Sequence, residues 1–335
     1  MISRGTTIAR SLRLLSLAAI AGLPGAATFA SAAHGATAAE ESRLRENWRL
    51  TISHTATPGE GCFAASYPST KWRQVVCKAA PARPFGIAAL PRHGAHGRTV
   101  GNGNDYAAVT STLTTSAVGS FPTVTGVTKE SDDGEANDYT LQLNSGFMNT
   151  AGCNGSTTGQ CQTWEQFVYS SGEEAAFMQY WLINYGNKCP SGGGWSSYEG
   201  SCYKNSAAVT VPTIAITSLS GEKISATAAS GGNDTLVFTS GTKAYSTSGK
   251  DSVVYLATAW DQSEFNIVGD GGGSEAKFNT SGVSITVKIA LTDGSTSAPT
   301  CEGDDGTTGE TNNLTLGSCT ASGGSTPSVS FKETN

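Results

Sequence analysis

Thr163-Trp164-Glu165-Gln166-Phe167-Val168-Tyr169 and Ala176-Phe177-Met178-Gln179-Tyr180-Trp181-Leu182-Ile183-Asn184-Tyr185, separated by a polar turn at 170–175, decide how this chain is read. Side chains of a strand alternate between its two faces, so Trp164, Gln166 and Val168 share one face of the first segment. Phe177, Gln179, Trp181 and Ile183 share one face of the second. Each glutamine thus stands among large apolar neighbours, where an amide without a partner is costly. Glu165 points the other way, with Phe167 and Tyr169, and burial on that face would push its carboxyl up.

Working outward, the same period-two pattern recurs in short stretches bounded by Gly, Ser, Thr, Asn and Asp. Strands are expected at 107–113, 138–143, 208–217, 223–229, 234–239, 243–246 and 283–292. One short helix is expected at 251–264, where Asp251 or Ser252 can cap and Val253, Leu256, Ala257 and Trp260 recur at helical spacing. Many strands and a single helix predict an all-β protein, a two-sheet antiparallel β-sandwich over residues 99–335.

Only 14% of the 335 residues are charged, and the charges are unevenly placed. Residues 1–98 hold 12 basic and 4 acidic residues, whereas 99–335 hold 9 and 23, so a segment at +8 precedes a body at −14. A body of that sign is a poor nucleic-acid binder. The last Arg is Arg98 and the four His are His34, His54, His93 and His96. Without histidine the body has no Ser-His-Asp or Cys-His machinery and no histidine metal site. Carboxylic acids, amides, hydroxyls and a few lysines remain, the equipment of acid-acting peptidases and glycosidases.

Residues 1–32 read as a signal peptide: Arg4, Arg10 and Arg13 open it, an apolar stretch runs from Leu14 to Ala30, and Ala30-Ser31-Ala32 offers small residues for cleavage. This predicts a mature protein outside the cytoplasm, secreted and extracellular or else periplasmic or at the cell surface, with no membrane span after the signal is removed. All eight cysteines follow it and fall into four neighbouring couples, which predicts bridges Cys62–Cys77, Cys153–Cys161, Cys189–Cys202 and Cys301–Cys319. Residues 33–98, basic and proline-containing, read as a pro-segment or linker ending in Pro91-Arg92-His93-Gly94-Ala95-His96-Gly97-Arg98. Opposite charge would dock such a segment on the acidic body, and acid would loosen it. The alternative is a small N-terminal subdomain stapled by Cys62 and Cys77.

The run Asn104-Asp105-Tyr106-Ala107-Ala108-Val109, then Gly119-Ser120-Phe121-Pro122-Thr123-Val124-Thr125-Gly126, the Trp164-Glu165-Gln166 strand, the Gln179-Tyr180-Trp181-Leu182 strand and Ala259-Trp260 resembles the glutamic peptidases of fungi and bacteria. The resemblance implies a concanavalin- or legume-lectin-like sandwich, a basic pro-segment, activity in acid, and a Gln and a Glu on neighbouring strands that activate water. It carries the family's Gln onto Gln166 and its Glu onto Gln179, an amide that transfers no proton. Either Glu165 supplies the carboxyl, or the fold is kept without the activity. The chain is also similar to secreted bacterial proteins that share these strands and have no established function.

Asp261, Glu264, Asp270 and Glu275 bracket a glycine-rich loop whose oxygens suit Ca²⁺, although the spacing is not that of an EF-hand and no metal is assigned. Asp132-Asp133 and Asp304-Asp305 read as solvated loops. Trp164, Trp181 and Tyr198 are candidate ligand contacts, with Trp195 and Tyr203 close by in the chain. The leading expectation is therefore a secreted, acid-acting carboxyl-type hydrolase, a glutamic-peptidase-like precursor with Gln166, Glu165 and Gln179 at its site. It acts on an extracellular protein or polysaccharide and needs no cofactor. The alternative is a non-catalytic β-sandwich that binds carbohydrate or another surface ligand.

Overall fold

In a computed structural model, which describes residues 37–85, 105–303 and 309–335, two antiparallel sheets pack face to face. The first runs Arg73–Val75, Gly61–Ser66, Lys243–Lys250, Asn233–Ser240, Glu222–Thr227, Ser116–Thr125, Ser284–Thr292 and Ser328–Thr334, with Thr315–Leu316 and Thr320–Ser322 paired to the last. The second runs Ser196–Tyr198, Ser201–Asn205, Ala175–Ile183, Gln162–Ser170, Tyr139–Ser145, Gln262–Gly269, Tyr106–Val109 and Thr300–Gly303. Ala207–Thr210 continues along Ala175–Ile183 and carries Lys78–Ala79 on its other side. The all-β sandwich is thus the observed architecture. The signal peptide at 1–32, the segment end at Pro91 to Arg98 and the pair Asp304-Asp305 lie outside the described residues.

The core lies between the sheets and is made by the alternate residues of each strand. Phe265 of the second sheet meets Phe121 of the first with ring centroids 5.0 Å apart, and Tyr169 stacks on Phe238 at 4.2 Å. Gly119 permits this approach, because a Cβ there would stand 2.2 Å from the Phe265 ring. The ladder to Ser284–Thr292 shifts register between Thr286 and Lys288, so that Phe121 and Pro122 share one partner residue. A bulge suits a proline, which has no N–H to give to a ladder.

The expected helix at 251–264 is corrected. Asp251–Val253 and Leu256–Thr258 are single 3-10 turns divided by Tyr255 at φ 58°, and Gln262–Gly269 is a strand paired on both edges. Two ladders outweigh the helical spacing of a few apolar side chains. The α-helix lies instead at Ala38–Ser53, inside the stretch read as linker. The Thr37 hydroxyl caps it by accepting from the Glu40 N–H at 3.2 Å, and Trp48 and Ile52 pack with Ala65 and Ala244 of the first sheet. Lys223 holds Glu46 at 2.9 Å.

Gly61–Ser66 pairs along its whole length with Lys243–Lys250. Described residues of the basic segment therefore belong to both sheets. The expected strand at 208–217 ends at Thr210 and gives way to a 3-10 turn at Ile216–Gly221.

The four disulfides are those expected from the spacing: Cys62–Cys77, Cys153–Cys161, Cys189–Cys202 and Cys301–Cys319. Such bridges suit an oxidising compartment. No described helix is long and apolar enough to cross a membrane.

Gly119→Ala drives a methyl into the Phe265 ring and is expected to cost about 1–3 kcal/mol. A urea titration that shows no fall in midpoint would refute the close packing of that pair.

Candidate functional site

Register sets the site. Gln179 pairs with Gln166, Gln166 with Asn144 and Asn144 with Glu264, while Asn205 stands on the far side of Gln179. Directly paired residues share a face, and the neighbours of Glu264 and Gln166 along their strands, Phe265 and Phe167, belong to the core. Asn205, Gln179, Gln166, Asn144 and Glu264 therefore form a row across the outer face of the second sheet. Tyr203, Trp181 and Trp164 form the next row, and Phe177, Val168 and Gln142 the row on the other side.

The amides of the row are locked. The indole N–H of Trp181 donates to Oε1 of Gln166 at 2.9 Å and to Oε1 of Gln179 at 3.0 Å. Nε2 of Gln166 donates to Oε1 of Gln142 at 3.1 Å, and Nε2 of Gln142 donates to the Thr140 hydroxyl at 3.1 Å. This chain fixes which end of the Gln166 amide is nitrogen, and leaves that nitrogen a second hydrogen. The Asn144 Oδ1 atom is buried with no donor among the described residues.

A segment of the chain, residues 81–85, bent at Ala82 and Arg83, lies on this face. Phe85 N–H donates to Oε1 of Gln179 at 2.7 Å, and Nε2 of Gln179 donates to the Arg83 carbonyl at 3.2 Å and to Oδ1 of Asn205 at 2.8 Å. Asn205 Nδ2 donates to the Pro81 carbonyl at 2.7 Å, and the Tyr203 hydroxyl to the Ala82 carbonyl at 3.1 Å. The Phe85 side chain is fully buried with Val168, Ala175, Phe177 and Ala208. Arg83 reaches Asp270 at 2.6 Å and Glu173 at 3.2 Å.

The expected site residues divide. Gln166 and Gln179 are brought together. Glu165 is not with them: it pairs with Tyr180 of the core and faces the interior, where its nearest acids are Asp234 and Asp251. A period of two puts neighbours in sequence on opposite faces. Trp164 and Trp181 lie on the outer face as expected but are wholly buried, in a cluster with Phe147, Ile183 and Tyr203 against which Tyr198 packs. Their ring faces are taken up by neighbouring rings, not offered for sugar stacking.

Sequence reasoning set Glu264 beside a candidate cation loop and inside the expected helix, and so missed its place in the amide row. The signal was there, since Glu264 alternates with the apolar Phe265 and Ile267 across Asn266. Among the described residues no three of His, Cys, Asp or Glu converge as a metal would require. Asp132, read as a solvated loop residue, is buried and accepts from the Asp270 N–H at 2.8 Å.

Carboxyls without water dominate the electrostatics. Burial lifts Glu130, Glu222, Asp234 and Glu333 to about 8. Asp138 rises to about 6 by burial and then by the charges of Asp270 and Asp132. Glu165 is raised by burial and then by Asp234. Asp270 also rises through burial, against the Ser170 hydroxyl and Arg83, which lower it.

Each of these acids binds its proton more tightly folded than unfolded, where carboxyls titrate near ~4. Between about pH 4 and pH 8 the folded chain thus holds more protons, and stability falls as pH rises. The melting temperature is expected to be higher at pH 4 than at pH 8, with Glu222→Gln flattening the difference. A melting temperature that rises toward pH 8 would contradict it.

No protein family, no curated protein and no solved structure matches this chain.

Proposed function

We propose that this protein is a secreted hydrolase of the carboxyl type, a peptidase that works in acid and is made as a precursor with residues 81–85 lying in its own groove. The observation that carries this reading is the way that segment is held. Its main-chain atoms, not only its side chains, are bonded by Gln179, Asn205 and Tyr203, one residue from Gln166. A face that binds peptide backbone presents a carbonyl to whatever stands beside it.

Gln166 and Glu264 supply the chemistry. Glu264, as base, takes a proton from water while the water oxygen bonds to the carbonyl carbon, and the remaining N–H of Gln166 donates to the oxygen on which charge develops. The C–N bond then breaks as Glu264 returns the proton to the leaving amine. Gln166 is oriented for this by Trp181 and Gln142. An amide does not titrate, so such a donor works in acid as well as at neutrality.

Acid also releases the precursor. Arg83 is tied to Asp270 and Glu173, with Asp132, Asp138 and Glu130 close behind and Lys78 bonded to the Glu173 carbonyl. As pH falls through about 6 Asp138 takes up a proton, and when Asp270, also raised by burial, is protonated, the guanidinium loses that counter-charge. The second reading, a groove that binds peptide without cutting it, is favoured by Gln179, the amide that stands where the resemblance puts a carboxyl.

Intact mass of the secreted chain and cleavage of a denatured protein substrate, at neutral and acid pH, separate the two. The substrate is expected to be cut only in acid, by the natural chain and by Glu165→Gln. Gln166→Ala and Glu264→Gln are expected to fold, by circular dichroism, and to cut at least about 100-fold more slowly. An uncut substrate at either pH leaves the binding reading.

A further inference from the structure

We propose that the groove selects peptides with a basic residue and, two positions toward the C-terminus, a large apolar one, residues 81–85 being the chain's own copy of that ligand. This rests on the outer face of the second sheet being a peptide groove, and it adds the sequence that the groove prefers. Two independent contacts set the preference. Phe85 fills a pocket of Val168, Ala175, Phe177 and Ala208 and is wholly buried there. Arg83 spans Asp270 and Glu173 from a half-exposed position and lies 4.4 Å over the Phe85 ring. The spacing of two is held by Gln179, which bonds the main chain of both residues 83 and 85.

The partner is a peptide rather than another chemistry because of what the groove bonds. The Pro81, Ala82 and Arg83 carbonyls and the Phe85 N–H are main-chain groups, common to any peptide of this conformation. Pro84 has no N–H to leave unpaired, and its ring restricts both its own backbone and that of Arg83, so the ordering entropy of this segment is small. Gln179, Asn205 and Tyr203 are polar side chains aimed at that backbone, where a permanent lid over Phe177 and Val168 needs only apolar packing.

The test uses the full chain with residues 81–85 replaced by a glycine–serine stretch of equal length, beside the natural chain. The probe is a fluorescein-labelled peptide Ala-Pro-Ala-Arg-Pro-Phe, the sequence of residues 80–85, read by fluorescence anisotropy near neutral pH. The replaced chain is expected to bind it saturably and the natural chain at least about tenfold more weakly. A peptide with Ala for Phe loses about tenfold, and one with Glu for Arg about threefold or more.

Three results overturn the proposal: a folded replaced chain that binds no better than the natural one, equal binding of all three peptides, or a replaced chain that does not fold, which makes 81–85 a fixed part of the structure. The readout needs no cleavage. Selective binding without hydrolysis removes the peptidase reading alone, and hydrolysis without this selectivity removes the present proposal alone.

Discussion

A primary amide buried on a sheet face has to find partners for both its oxygen and its nitrogen, and Gln179 meets that requirement with three different parts of the molecule. Its oxygen takes the Trp181 indole and the Phe85 main chain, and its nitrogen gives to Asn205 and the Arg83 carbonyl. Remove the 81–85 segment and one bond at each end of that amide is lost, in a setting where an unmade hydrogen bond costs about 1–3 kcal/mol. The same indole also fixes Gln166. The placing of the segment and the orientation of the neighbouring amide thus depend on one pair of side chains, Gln179 and Trp181.

Much of this was legible in the sequence, and the reason is the period of two. Alternation alone put Trp164 and Gln166 on one face of their strand with Glu165 on the other, and Gln179 and Trp181 on one face of theirs, and the hairpin register brings Gln166 and Gln179 together. The same alternation already argued against joining Glu165 to Gln166. The cysteine couples were legible because short loops bring near neighbours within bridging reach. What was not legible depended on contacts between distant elements. Ser116–Thr125 contains Gly119 and Pro122, whose fit in a strand is explained only by Phe265 and the opposite bulge. Glu264 was hidden because Val253, Leu256 and Trp260 suggested a helix, and only ladders to Tyr139–Ser145 and Tyr106–Val109 decide otherwise. The helix at Ala38–Ser53 buries few side chains, so its periodicity is faint among charges.

The charge asymmetry of the sequence finds its physical expression at Arg83. Its guanidinium meets Asp270 and Glu173, and Lys78 caps the same turn. Both cations come from the basic segment and both acceptors from the acidic body. These pairs are partly exposed and so individually weak. The deeper hold is Phe85 in its apolar pocket together with the backbone bonds. Charge steers this segment to the face, and burial with hydrogen bonding keeps it there.

Acid therefore acts on this molecule with two opposite signs. Carboxyls such as Glu222 and Glu333, sealed inside and raised to about 8, hold their protons at moderate pH and make the sandwich most stable where they are neutral. Asp270, at the edge of the groove, faces the Arg83 cation, so its protonation removes that attraction, whereas protonation of Asp138 relieves its repulsion with Asp270 and Asp132. One change in pH thus firms the body while it weakens the tether lying across it. On the proposed reading that is the property a precursor needs, since the groove opens under the conditions in which the sheets beneath it are least inclined to unfold. A scaffold whose site relied on imidazole would change charge over the same interval, whereas Gln166 and Gln179 keep their donors and acceptors throughout.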